Sequence, residues 1–376
     1  MKIAISADLH LNPNYPERTD ALEDILLQAE SEGITNLIIA GDLFDKDGDT
    51  SAYDGLREPC RNHPSILVHV IPGNHDSDRS LLDVAPDLPN LHVYINPHVE
   101  IFKSIAVLFL PYREGIPMND VLLECKEMIG DEPWALIAHG DFISRVREPN
   151  PREKGIYMPL KPGDLNHPNL RQVFLGHIHK PTPLDRPLAG KVLHPGSPQG
   201  LDITECGPRR FLVYDTESGG ISERKVNSSK IFLNETFLSI PSCHEFDLLA
   251  KAFKTRLEES NLSESELREK TQIRIRVEGY ALKKDELVVS FRKLIRESGV
   301  SLYKEDGPNF DSVSTVSDPQ RKILTRDSLC NLKELAEGTL KLPHDENGDQ
   351  GKWDFGQDEP SIEEVRMAVL EAIYKK

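Results

Sequence analysis

Five short polar motifs carry the residue types that bind metals and move protons. They are Asp8-Leu9-His10, Gly41-Asp42, Gly73-Asn74-His75-Asp76, His139-Gly140 and Gly176-His177-Ile178-His179. Asp, Asn and His supply oxygen and imidazole donors of the kind that suit Mn²⁺, Fe²⁺ or Zn²⁺. D-x-H and H-x-H put two side chains on the same side of an extended segment, because side chains alternate there. Gly41, Gly73 and Gly176 let the backbone turn tightly beside such a centre. Any one of these motifs recurs by chance in many chains. Five in this order, each directly after a predicted strand, point to one site for two metals.

The elements that must position them are short apolar runs. Lys2–Ser6, Asn36–Ala40, Ile66–Ile71, Ile105–Leu110, Trp134–Ala138, Gln172–Leu175 and Phe211–Tyr214 are predicted strands. Between the first two, Asp20 to Ser31 reads as an amphipathic helix, with Asp20 as N-cap and Gly33 beyond its end. Continuous apolar strands alternating with helices predict an α/β sandwich covered on both faces. Ligands of such sheets bind beyond the carboxyl ends of the strands, so the five motifs are expected on one rim.

The chain has 376 residues and a net charge of −17, enough length for two or three domains. Five scattered cysteines with no C-x-x-C predict reduced thiols and a cytoplasmic location. No apolar run approaches a membrane span, so no membrane association is expected. The acid argues against a simple basic nucleic-acid binder. It is unevenly spread: residues 1–140 carry −15, 141–300 carry +4 and 301–376 carry −6.

Past residue 235 the texture changes. Glu245–Glu258 and Asp285–Glu297 are predicted helices, and Ile273–Val277 alternates as a half-exposed strand. The boundaries read as 1–235 for the first domain, 236–318 for a smaller α+β domain and 319–376 for a helical tail. The tail has helices predicted around Arg326–Leu340 and Ile362–Tyr374. It is read either as packed on its own domain or as a segment that docks on a partner.

The ordered motif set resembles the calcineurin-like metallophosphoesterase superfamily. That resemblance implies a β-sandwich flanked by helices around a dinuclear centre. Carried over residue by residue, Asp8, His10 and His179 would hold one metal, and Asn74, His139 and His177 the other. Asp42 would bridge both, His75 would be the catalytic histidine, and Asp76 would orient His75 or its loop. Two divalent ions are implied, Mn²⁺ first, with Fe²⁺, Zn²⁺ or Mg²⁺ as alternatives.

Further stretches narrow the likeness. P-G-N-H-D-S-D-R-S-L (72–81), G-D-L-F-D (41–45), L-G-H-I-H-K (175–180), H-P-G-S-P (194–198) and Glu205 followed by R-R-F-L-V-Y (209–214) resemble the SbcD-type repair nucleases. Asp45 stands where archaeal and eukaryotic relatives usually carry His, so the closer match is bacterial. The resemblance implies a DNA exo/endonuclease that hydrolyses phosphodiesters with a metal-activated water. It also implies a DNA-capping role for the small domain, an SbcC-like SMC-type ATPase partner and a homodimer. Candidate substrate contacts are Lys180, His194, Ser197, Arg145 and Arg147, with Arg274 and Arg276 on the small domain. No G-x-x-x-x-G-K-S/T loop is present, so any ATP hydrolysis would come from a partner. The alternative is a phosphoesterase acting on small phosphodiesters or phosphomonoesters, such as cyclic nucleotides.

Overall fold

The computed structural model describes residues 1–46, 50–144, 155–305, 307–316, 324–325, 328–329, 332 and 362–374. The chain forms two compact units, Met1–Ile231 and Phe232–Lys376. The first runs β1 (Lys2–Ser6), α1 (Pro16–Ser31), β2 (Asn36–Ala40), α2 (Asp54–Asn62), β3 (Leu67–Ile71), α3 (Asp78–Val84), β4 (Leu91–Val93), β5 (His98–Phe102) and β6 (Ile105–Leu110). It continues with α4 (Met118–Glu124), α5 (Lys126–Ile129), β7 (Trp134–His139), β8 (Leu170–Gly176), β9 (Val192–Leu193), β10 (Arg210–Asp215) and β11 (Ile221–Lys225).

Two sheets result among the described residues. One has the order β11-β10-β1-β2-β3-β4, the other β5-β6-β7-β8-β9. Strands β1 to β4 are mutually parallel, as are β6 to β9, while β10 and β5 run antiparallel to their neighbours β1 and β6. Alternation decides which side chains go where. Ile3, Ile5, Ile38, Val107, Phe109, Ile137 and Phe174 meet between the sheets. Ala4, Leu37, Ile39, Val68 and Val70 point the other way and pack with Leu22, Ile25, Leu26 and Leu56 of α1 and α2. On the second sheet, Leu108, Leu136 and Leu175 pack with Val121 and Leu122 of α4. The sandwich flanked by helices that the sequence predicts is the fold.

A polar link runs along the first sheet from β2 through β3 to the end of β4. His69 Nδ1 lies 2.9 Å from the Tyr94 hydroxyl and Nε2 lies 2.9 Å from Asn36 Oδ1. Burial pushes its pKa down to about 3, so the ring is neutral at pH 7 and both nitrogens are satisfied.

The structure moves one predicted boundary. Helix α1 starts at Pro16, a full turn before Asp20, which lies inside it. Proline is favoured at the first helical position because its φ is preset and its missing N–H would be unpaired there anyway. The extra turn carries Arg18, whose guanidinium donates to the His10 carbonyl at 2.6 Å and to Asp45 Oδ1 at 2.9 Å.

The second unit contains β12 (Ile231–Ser239), α6 (Glu245–Glu259), α7 (Glu264–Glu269), β13 (Thr271–Ala281), α8 (Lys284–Ser298), β14 (Ser301–Leu302), β15 (Val313–Thr315) and α9 (Ile362–Tyr374). Its core is built on Phe237, Phe253 and Phe291, whose rings meet edge to face. Helix α8 ends at Gly299, which takes the left-handed conformation such ends favour (φ 76°). Helix α9 packs in this unit: the Tyr374 ring lies 4.8 Å from that of Tyr280, and its hydroxyl accepts from Thr325 at 2.7 Å. Residues 343–360 and most of the helix predicted at Arg326–Leu340 lie outside the described residues. No helix among the described residues is long and apolar enough to cross a membrane.

Candidate metal centre

The parallel strands of both sheets end at one rim, and the motifs sit there. Asp8 and His10 follow β1, Asp42 follows β2, and Asn74 and His75 follow β3. His139 closes β7, and His177 and His179 follow β8. Asp8, His10, Asp42 and His179 place one donor atom each within 4.8 Å of one another, and so do Asp42, His139 and His177. Asp42 belongs to both groups. Asn74 Oδ1 joins the second, 2.9 Å from His139 Nε2 and 3.0 Å from His177 Nδ1.

Backbone strain concentrates at the same residues. Asp8, His10, Asp42 and His177 all have positive φ, between 48° and 88°, a region that residues other than glycine seldom enter. Such outliers persist where the surrounding structure fixes them. Here it does: His177 N–H donates to Asp8 Oδ1 at 2.8 Å, and His75 N–H donates to Asp42 Oδ1 at 2.9 Å. Glycine is required at the crossing points. A Cβ on Gly73 would overlap the Asp42 carboxylate, and one on Gly176 would overlap the Ala40 carbonyl.

The donors fit divalent cations. Asp8 Oδ2 is buried with no hydrogen-bond partner among the described residues, a costly arrangement unless a cation answers it. His10 Nε2 and His179 Nε2 face each other at 3.2 Å, although a neutral imidazole carries a single N–H. Burial raises Asp8 to about 6 and drives His10 down to about 3. Burial also raises Asp42, but His139, His10 and His75 outweigh it and hold that carboxyl well below the usual range. Hydrogen bonds behind the site select which ring nitrogen is offered. His139 Nδ1 donates to the Ala40 carbonyl at 2.9 Å, which leaves Nε2 for the second cluster.

His75 lies beside the first cluster, its ring 4.9 Å from that of His10. Asp76 acts on the loop. Among the described residues its carboxylate accepts from the backbone N–H groups of Gly73, Leu43 and Phe44 at 2.9–3.1 Å. It therefore ties the β3 loop to the β2 loop, and its proposed role narrows to positioning. His194 and Ser197, expected at the substrate rim, are 3% and 1% exposed. His194 Nδ1 donates to the Leu175 carbonyl and the Ser197 hydroxyl donates to Glu205, so both face inward. Lys180 is exposed. Arg145 and Arg147 lie outside the described residues.

Sequence reasoning gave no role to Glu205 and Arg209, which form a buried brace. Glu205 Oε1 accepts from His179 Nδ1 at 2.8 Å. Its Oε2 accepts from Ser197 Oγ (2.8 Å), Leu201 N (3.1 Å) and Arg209 Nη2 (2.7 Å). The brace holds His179 with Nε2 toward Asp8 and Asp42. The signal was Glu205 and Arg209 themselves, two opposite charges in a loop bounded by buried strands. Glu205→Gln is expected to weaken Mn²⁺ binding at the His179 cluster by about 10- to 100-fold. Titration calorimetry measures this, and an unchanged isotherm would show the brace to be irrelevant to the ion.

Residues 1–181 match the family model of the calcineurin-like phosphoesterases. The match covers just under half of the chain, which over this stretch is similar to that family. Members of that family are metal-dependent hydrolases, and residues 1–181 hold two clusters of metal-ligating donors that share Asp42. Two solved structures are similar to the chain. One is described as a novel archaeal phosphodiesterase, at 13% identity and TM-score 0.33 over 60% of this chain and 99% of that one. The other is TT1561 of Thermus thermophilus, at 15% identity and TM-score 0.40 over the same shares. No curated protein matches the chain.

Proposed function

We propose that the chain is a dinuclear-metal phosphodiesterase whose substrate is DNA, a nuclease of the SbcD repair type. The observation that carries the phosphodiesterase reading is the pair of donor clusters sharing Asp42. The DNA reading is supported by the sequence motifs at 72–81, 175–180 and 194–198. When bound, two divalent ions supply positive charge for the scissile phosphate and lower the pKa of a coordinated water. The protein's own part is orientation and proton handling. The Asp45 carbonyl accepts from His75 Nδ1 at 3.2 Å. A carbonyl can only accept, so Nδ1 carries a proton; Nε2 can then deliver a proton to a leaving oxygen only as part of the doubly protonated imidazolium, and accepts one when the ring is neutral. With only Asp8 and Asp42 as carboxylate ligands, the loaded site is cationic, which reverses the local effect of an acidic chain.

The same reading assigns Mn²⁺ as the metal, the second unit as a DNA cap and an SbcC-like ATPase as partner. The test pairs two assays in Mn²⁺: degradation of single- and double-stranded DNA, and turnover of bis-p-nitrophenyl phosphate against the monoester. DNA degradation with a preference for the diester is the expected result. Diester turnover without DNA cleavage would transfer the site to small phosphodiesters, and monoester preference would overturn the reading.

A further inference from the structure

A cavity of about 580 Å³ lies wholly within the second unit; three segments line it, and two of them supply cations. Arg274 and Arg276 occupy alternate positions of β13, on the face opposite the buried Ile273, Ile275 and Val277. Lys284 and Arg292 flank Val288 along one stripe of α8, spaced by four residues each. The third wall is the 307–311 loop, which is pinned to β13. Asn309 N–H donates to the Ile275 carbonyl at 2.9 Å, and Val277 N–H donates to the Asn309 carbonyl at 2.8 Å.

Charge in this cavity is unbalanced. Among its described lining residues the one carboxylate is Asp311, and that group accepts from the Asn309 amide at 3.1 Å. Arg274 is spent on Asn234 Oδ1 and Lys284 on the Val313 carbonyl, both neutral acceptors. The guanidinium groups of Arg276 and Arg292 have no acceptor among the described residues, and both side chains are exposed. Four like charges in one concavity repel each other and focus a positive field there. Guanidinium groups match the oxygen geometry of phosphate better than that of other common anions. The volume falls in the range of small-ligand sites, larger than one phosphate needs.

We propose that this cavity is an anion site for a phosphate-bearing ligand, with Arg276 and Arg292 as its principal contacts. The shared chemistry is a chain of phosphates, offered by a free nucleotide or by a nucleic-acid backbone. None of the lining residues belongs to the donor clusters of the metal centre.

The test uses the full chain in EDTA, which silences the metal centre. Pyrophosphate, ATP and a 12-nucleotide single strand are titrated into the parent and into the Arg276→Gln/Arg292→Gln variant. At least one probe is expected to bind, and the variant to lose tenfold or more. Its far-UV circular dichroism and thermal melting midpoint should match the parent's, which reports a folded protein. Binding of pyrophosphate and ATP identifies a free phosphate chain as ligand. Binding of the oligonucleotide alone, with the slope of log K against log salt falling by about 1.4 in the variant, identifies the nucleic-acid backbone. No binding by any probe, or equal binding by parent and variant, would overturn the proposal.

Discussion

Asp42→Asn is expected to reduce phosphodiester hydrolysis about 10³-fold, equivalent to about 4 kcal/mol of transition-state stabilisation. Asp42 is the one residue common to both donor clusters, so its change reaches both ions at once. The amide keeps the shape of the carboxylate, and its oxygen can still accept from His75 N–H as Asp42 Oδ1 does at 2.9 Å. What is removed is the negative charge that faces His10 Nε2 at 3.6 Å and His139 Nε2 at 3.5 Å. Metal titration should show the loss of at least one equivalent of bound Mn²⁺ with the far-UV circular dichroism unchanged. A variant that keeps two equivalents and activity within tenfold of the parent would remove Asp42 from its bridging position.

His75→Ala is expected to behave in the opposite way on binding. It should keep both metal equivalents, because the His75 ring belongs to neither donor cluster. Hydrolysis should fall by about 10² to 10⁴, the usual contribution of a positioned acid or base. A leaving group that needs no proton separates this role from simple packing. With bis-p-nitrophenyl phosphate the defect should shrink well below that seen with DNA, since nitrophenolate leaves unaided. Full activity on DNA, or an equal defect on both substrates, would sink the proton-delivery role.

Much of this centre was legible in the sequence because its donors are read by type and local spacing. Asp8 and His10 sit two residues apart just past an apolar strand, and His177 and His179 repeat the pattern. Strand periodicity then fixes which end of the sheet they share. The remainder depended on where loops travel. Asp76 follows His75 directly, yet its carboxylate serves amides of a loop more than thirty residues earlier. Ser197 lies in a Gly-Ser-Pro turn that reads as exposed, but its hydroxyl is captured by Glu205, eight residues on. The start of α1 shifted because Pro16 was a stronger first-turn signal than Asp20 was a cap. For Asp76 the deciding partners are distant in sequence, so no local pattern could name them.

The division of the ligands between two sheets bears on how the protein is made. Asp8, His10, Asp42 and Asn74 come from the first sheet, His139, His177 and His179 from the second, and the bond from His177 N–H to Asp8 spans 169 residues. Synthesis at roughly 5–20 residues per second separates these halves by many seconds. A nascent chain that has released only β1 to β4 holds an incomplete ligand set and an incomplete first sheet, because β10 and β11 are made last. Hydrolytic capacity therefore arrives late, after His179 and its Glu205 brace have left the ribosome. A truncated product ending before that point would carry a half-built, inert centre, so premature termination would not release an unregulated hydrolase into the cell.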